Sequence, residues 1–232
     1  MTSARYAVAS LALAFTLSAC SGPAAILASL IPDGTTAMML GNLEKVSDEN
    51  RKRVAALEQA GRWDELARLA EESLKKDPSN ADWWLIAGYA RSQLGGYSAA
   101  AEAFGNAARL EPDNNAAWNL LAQAYRGAGE PHRAVNALNN ALTVTRDSPV
   151  TFFLLGESYS DLRRYEEAAA AYREAVRAHE EFPAAWFALA RTYARLGRAD
   201  DARAARARLE KLDPKLAARL EDGSGTTQLR PR

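Results

Sequence analysis

ADWWLIAGYARSQLGGYSAAAEAFGNAARLEPDN, residues 81 to 114, is the stretch that decides the fold. Trp84, Ala87 and Gly88 precede Gly95, then Tyr97, Ala100, Phe104 and Ala107 follow, and Pro112 closes the unit. Apolar residues recurring at i, i+3, i+4 and i+7 mark an amphipathic helix. Gly and Pro are the strongest local breakers. The stretch therefore reads as helix, turn, helix, turn.

The same features recur every 34 residues, giving five units without insertion: 47 to 80, 81 to 114, 115 to 148, 149 to 182 and 183 to 216. The fourth position holds Asn50, Trp84, Trp118, Phe152 and Trp186, and the twentieth holds Leu66, Ala100, Ala134, Ala168 and Ala202. The eighth (Val54, Gly88, Ala122, Gly156, Ala190) and the twenty-seventh (Ser73, Ala107, Ala141, Ala175, Leu209) are mostly small. Small residues there let the two helices of a unit approach, and a larger side chain would overpack them. Gly61, Gly95, Gly129 and Gly197 mark the turn inside a unit, with Arg163 at the fourth equivalent place. Asp77-Pro78 and Asp213-Pro214 read as a capping carboxylate followed by a proline at the first helical position.

This pattern of Trp, Gly, Tyr, Ala, Phe, Ala and Pro resembles the tetratricopeptide repeat (TPR). The resemblance implies an all-α fold, a right-handed superhelical solenoid of five TPR helix pairs. Leu216 and Leu220, four residues apart, suit a short C-terminal capping helix that ends before Gly223. The array with its cap spans 47–222, and 223–232 reads as a flexible tail.

Ahead of the array, Arg5 is followed by an uncharged run from Ala7 to Ala19 and then Leu17-Ser18-Ala19-Cys20. The run is shorter than the roughly 20 residues a spanning helix needs and suits a signal-peptide core. Leu-Ser-Ala-Cys resembles a bacterial lipobox. That likeness implies a lipoprotein signal peptide over 1–19, cleavage before Cys20 and acylation of Cys20, palmitate included. Segment 20–46 is then a lipidated tether with a short apolar patch, Ile26, Leu27, Leu30 and Ile31, ending at the turn signal Pro32-Asp33-Gly34. The patch suits either a linker lying on the array or a membrane or partner contact.

Composition removes several function classes. Lys plus Arg equals Asp plus Glu at 29 each, so no net field favours nucleic acid. Cys20 is the only cysteine, which precludes an intramolecular disulfide or a Cys-based metal site. His132 and His179 fall in different units with no nucleophile at a meaningful spacing, and no Gly-rich phosphate loop follows a strand. No enzyme activity, cofactor, metal or small-molecule substrate is expected.

What remains is surface. In the TPR family the second, fifth, ninth, twelfth and thirteenth positions of first helices line the concave side. The groove residues implied are Leu85, Tyr89, Asn119, Gln123, Arg126, Phe153, Glu157, Phe187, Arg191 and Arg195. Phe153 and Phe187 share the fifth position of adjacent units and would stack as one apolar strip; the same spacing also suits rings packed between neighbouring first helices. A clamp for a C-terminal carboxylate is not supported, because its places hold Asn119, Gln123, Leu154, Ala184 and Ala188. The function expected is a lipid-anchored scaffold whose groove binds another envelope protein or peptide segment in assembling a pilus, secretion or outer-membrane protein complex. Ser21 after the cysteine favours the outer membrane, facing the periplasm. A role in exopolysaccharide export or in docking a cell-wall hydrolase is the alternative.

Overall fold

The computed structural model describes residue 43 and residues 45–223. Cys20, the expected signal peptide over 1–19, most of the segment 20–46 and residues 224–232 lie outside the described residues. Eleven helices are present among the described residues, and no strand. In chain order they are α1 (Asp48–Gln59), α2 (Trp63–Lys76), α3 (Ala81–Gln93), α4 (Tyr97–Leu110), α5 (Asn115–Gly127) and α6 (Pro131–Val144). Then come α7 (Pro149–Asp161), α8 (Tyr165–Ala178), α9 (Pro183–Arg195), α10 (Ala199–Leu212) and α11 (Pro214–Gly223). Each helix packs mainly on its neighbours in sequence, and α5, α7 and α9 also touch one another in turn. The result is the stacked, superhelical arrangement expected of helix pairs that cannot bury their apolar faces alone.

Turn chemistry sets where the helices stop. Gly61, Gly95, Gly129 and Gly197 have φ of 65°, 77°, 77° and 72°. Each sits in a pair of closing hydrogen bonds; Gly129 N donates to Arg126 O (3.0 Å) and Glu130 N to Tyr125 O (2.8 Å). This is the Schellman closure, which favours glycine because a left-handed residue with a Cβ is strained. Arg163, with φ of 58°, sits in the same pair, Arg163 N donating to Ser160 O (3.0 Å) and Arg164 N to Tyr159 O (2.9 Å). It accepts the strain that glycine avoids in the other four turns.

Starts of first helices are capped by side chains: Asn80 Oδ1 accepts from Asp82 N and Trp83 N, Asn114 Oδ1 from Ala117 N, and Ser148 Oγ from Thr151 N. The expected cap at Asp213-Pro214 is present, with Leu216 N donating to Asp213 Oδ1 at 2.9 Å. Asp77-Pro78 does not cap a helix. Asp77 Oδ1 instead accepts from Ser79 N and Oγ, folding the inter-unit turn so that Asn80 takes the cap. Indoles pin the same turns from above: Trp84, Trp118 and Trp186 donate Nε1–H to the carbonyls of Pro78, Pro112 and Glu180 at 2.8 to 2.9 Å.

Inside each unit the small positions permit close approach. A Cβ on Gly88 would stand 2.7 Å from the Phe104 ring, and one on Gly156 would stand 2.5 Å from the Tyr172 ring. Ala100, Ala134 and Ala168 are fully buried. One continuous core runs from Leu43 to Ala205, and Leu209, Leu216 and Ala217 form a smaller cluster where α11 covers the last unit.

The first unit is the loosest. Helix α1 buries only Val54, and the short segment before it secures that end of the array. Leu43 and Val46 are buried, Lys45 N donates to Asp82 Oδ2 (2.8 Å), Lys45 O accepts from Asn80 Nδ2 (2.9 Å), and the Lys45 ammonium pairs with Glu111. That hydrogen bond holds the Glu111 carboxyl below the usual glutamate range.

Two substitutions test this account. Arg163→Gly removes the left-handed strain and is expected to raise stability by about 1 kcal/mol, read as a higher denaturant midpoint at unchanged slope. Gly156→Ala is expected to lower it by roughly 1 to 3 kcal/mol, because the new methyl meets a packed ring and not solvent.

Candidate functional site: the inner face of the first helices

Side by side, α3, α5, α7 and α9 present the fifth, ninth, twelfth and thirteenth positions of their units. Several of these residues serve the junction between units and do not line an open groove. Leu85 is 6% exposed, Tyr89 9%, Asn119 6%, Phe153 2% and Glu157 9%. Phe153 is enclosed between Tyr172 (centroids 5.8 Å apart) and Phe182 (5.2 Å). Phe187 is half-buried elsewhere, against the capping cluster of Leu209 and Leu216. The apolar strip of Phe153 and Phe187 is therefore not formed: Tyr172 of the same helix pair and Phe182 of the following turn cover one ring, and the capping helix partly covers the other.

Phe182 was not legible as a site-shaping residue. It stands where Asn80, Asn114 and Ser148 cap their helices, makes no cap, and seals the Phe153 pocket instead. An apolar residue at a capping position is the one signal that could have revealed it.

The polar residues form two inter-unit networks. Asn119 Nδ2 donates to Asn115 Oδ1 (2.9 Å), Asn115 Nδ2 donates to Ala141 O (2.8 Å), and the buried Thr151 hydroxyl donates to Asn119 Oδ1 (3.0 Å). Asn119 is thus satisfied within the protein. Arg126, largely buried, reaches from α5 to α7, where Nη2 meets Glu157 Oε2 at 3.2 Å and Nε meets Asp161 Oδ2 at 2.7 Å. The Tyr172 hydroxyl of α8 donates to Glu157 Oε1 at 2.5 Å. Arg126 and Glu157 spend their charges on each other and are not free to bind a peptide.

Electrostatics follow this burial. Desolvation acts to lower the Arg126 pKa, but the Asp161 hydrogen bond and the charges of Glu157 and Asp161 outweigh it, and the net shift is upward. Burial, then the neighbouring Glu157 charge, pushes the Tyr172 phenol well above its usual value. At the first junction the Tyr89 hydroxyl donates to Glu58 Oε1 at 3.2 Å, and its ring meets Trp63 edge-on at 5.5 Å. Burial raises both the Tyr89 and the Glu58 pKa.

The accessible part of the inner face lies toward the C-terminus. Gln123 is half-buried, and Arg191 and Arg195 are exposed. The Arg191 guanidinium lies 5.7 Å from the centroid of the Phe187 ring and that of Arg195 lies 5.4 Å from the centroid of Tyr165. Among the described residues neither arginine has a carboxylate within ion-pair distance. His132 and His179 are exposed, at the start of α6 and just past α8. No described helix is long and apolar enough to cross a membrane.

Comparison with known proteins agrees with this geometry. Residues 153–217 match the family model described as tetratricopeptide repeat, and residues 93–175 match the one described as anaphase-promoting complex, cyclosome, subunit 3. No curated protein sequence matches the chain. A crystal structure of MamA is similar at 22% identity with a TM-score of 0.65, over 71% of this chain and 96% of that one. The thermophilic TPR protein TTC0263 of Thermus thermophilus is similar at 24% identity with a TM-score of 0.58, over 74% and 95%. YrrB, a TPR protein with an unusual peptide-binding site, is similar at 17% identity with a TM-score of 0.61, over 82% and 98%. Helix pairing, repeat match and structural likeness converge: the described helices form an all-α superhelical fold like that of tetratricopeptide-repeat solenoids, and residues 153–217 carry the repeat itself.

Proposed function

We propose that the chain is a non-catalytic scaffold, held at the bacterial envelope by lipid on Cys20, that binds a segment of another envelope protein on the inner face of its first helices. The single observation that carries the binding role is the exposed pair Arg191 and Arg195, without an ionic partner among the described residues, on a face where Arg126 and Glu157 are paired internally. Buried or internally paired residues of that face position the helices; Gln123, Phe187, Arg191 and Arg195 meet the partner. The anchor rests on the lone Cys20 following an uncharged run and small residues. Several acyl chains would hold the protein where one binds only marginally. In this reading the scaffold assists assembly of a pilus, a secretion machine or an outer-membrane protein complex.

A photoreactive residue placed at Gln123 tests both halves in the native envelope. One dominant cross-linked protein is expected from Gln123, and none from the exposed Arg173 on α8. Radiolabelled palmitate should mark the chain and the same adduct. In Cys20→Ala both the label and the adduct should disappear. Cross-links formed equally from Arg173, or label persisting in Cys20→Ala, would contradict the binding face or the anchor respectively.

A further inference from the structure

Equivalent positions meet at the first and third junctions. Glu58 is bonded by Tyr89, 31 residues later; Arg126 is bonded to Glu157, again 31 later, and to Asp161, 35 later. One repeat beyond Arg126, Glu157 and Asp161 stand Ser160, Arg191 and Arg195, at the junction of α7 with α9. The charges are inverted there. Two arginines occupy the places of two carboxylates, and a short neutral serine, whose Oγ lies 3.3 Å from the Tyr172 hydroxyl, occupies the place of the neutralising arginine.

From this inversion we propose that Ser160, Arg191 and Arg195 form a subsite for the carboxylate side chains of an acidic partner segment, filling the role that Arg126 fills with opposite sign one unit earlier. The proposal rests on the inner face being the binding face and names the chemistry that it takes. Guanidinium forks bind carboxylates in strong, charge-assisted pairs; the Phe187 ring lies 5.7 Å from the Arg191 guanidinium, and Arg195 Nη1 donates to the Tyr165 hydroxyl at 3.5 Å.

Spacing defines the segment further. Phe187, Arg191 and Arg195 are one helical turn apart, about 6 Å for each four-residue step. Alternate side chains of an extended peptide are roughly 6.6 to 6.8 Å apart. An extended segment with apolar, acidic and acidic residues at alternate positions therefore matches the line of three. Coulomb attraction at this open rim falls with salt, so binding weakens as ionic strength rises.

The test uses the full-length protein in detergent, labelled with nitrogen-15 arginine, and a short synthetic peptide carrying leucine, glutamate and glutamate at alternate positions among serine and glycine. Arg191→Gln and Arg195→Gln assign the two Nε resonances. Both should shift and saturate with this peptide, respond at least tenfold more weakly to a peptide with glutamine in place of glutamate, and recover with added salt. An unchanged pair of resonances at millimolar peptide overturns the subsite. If glutamate and glutamine peptides shift inner-face resonances equally, the carboxylate assignment fails while the binding face stands. If acetate alone saturates the pair as tightly as the peptide does, the site is one for small anions and the peptide assignment fails. If neither peptide acts and Gln123 gives no cross-link, both readings fall.

Discussion

Close approach of the two helices within each unit is the constraint on which everything else depends. Gly88 lies under Phe104 and Gly156 under Tyr172 so tightly that a methyl group could not be added without displacement. Protein interiors are close-packed and do not deform smoothly, so this contact fixes the angle of each pair. The pair in turn fixes where the next first helix lies. Turn closure at Gly61, Gly95, Arg163 and their equivalents, and indole bonds to the inter-unit turns, secure the connections between helices.

Because the units stack regularly, an inter-unit contact becomes a rule of sequence offset. The 31- and 35-residue separations that join Arg126 to Glu157 and Asp161 are consequences of the repeat, and the chemistry placed on them is free to vary. At the first junction the offset carries a tyrosine and a glutamate; at the third, a largely buried ionic network; at the fourth, two cations with no carboxylate within ion-pair distance among the described residues. Buried pairs of this kind strongly penalise removal of one partner but add modest net stability. Their effect here is that Arg126 is offset within the array, whereas Arg191 and Arg195 on α9 have no carboxylate within ion-pair distance among the described residues.

Helices, turns and the capping helix were legible because a 3.6-residue apolar period and breakers at fixed offsets are local signals. The inner face was legible only in part. Phe153 and Phe187 share a position, yet one is sealed by Phe182 and Tyr172 and the other leans on the capping helix. A helical stripe does not reveal whether its outward residues meet water or a neighbouring helix. Arg126 and Glu157 belong to different units, so their pairing becomes visible only once stacking sets the offset. Asp77-Pro78 misled for a local reason: its carboxylate finds Ser79 two residues on, and Asn80 is better placed to cap.

The account's central claim is that one geometry serves every junction while its charges are interchangeable. Copying the α5–α7 set onto α7–α9, as Ser160→Arg, Arg191→Glu and Arg195→Asp together, tests this most directly by thermal unfolding. The midpoint should hold or rise, since an internal pair replaces two unpaired cations. A fall of several degrees, equivalent to about 1 kcal/mol or more, would show that the offsets do not carry the same geometry from junction to junction and would contradict the account.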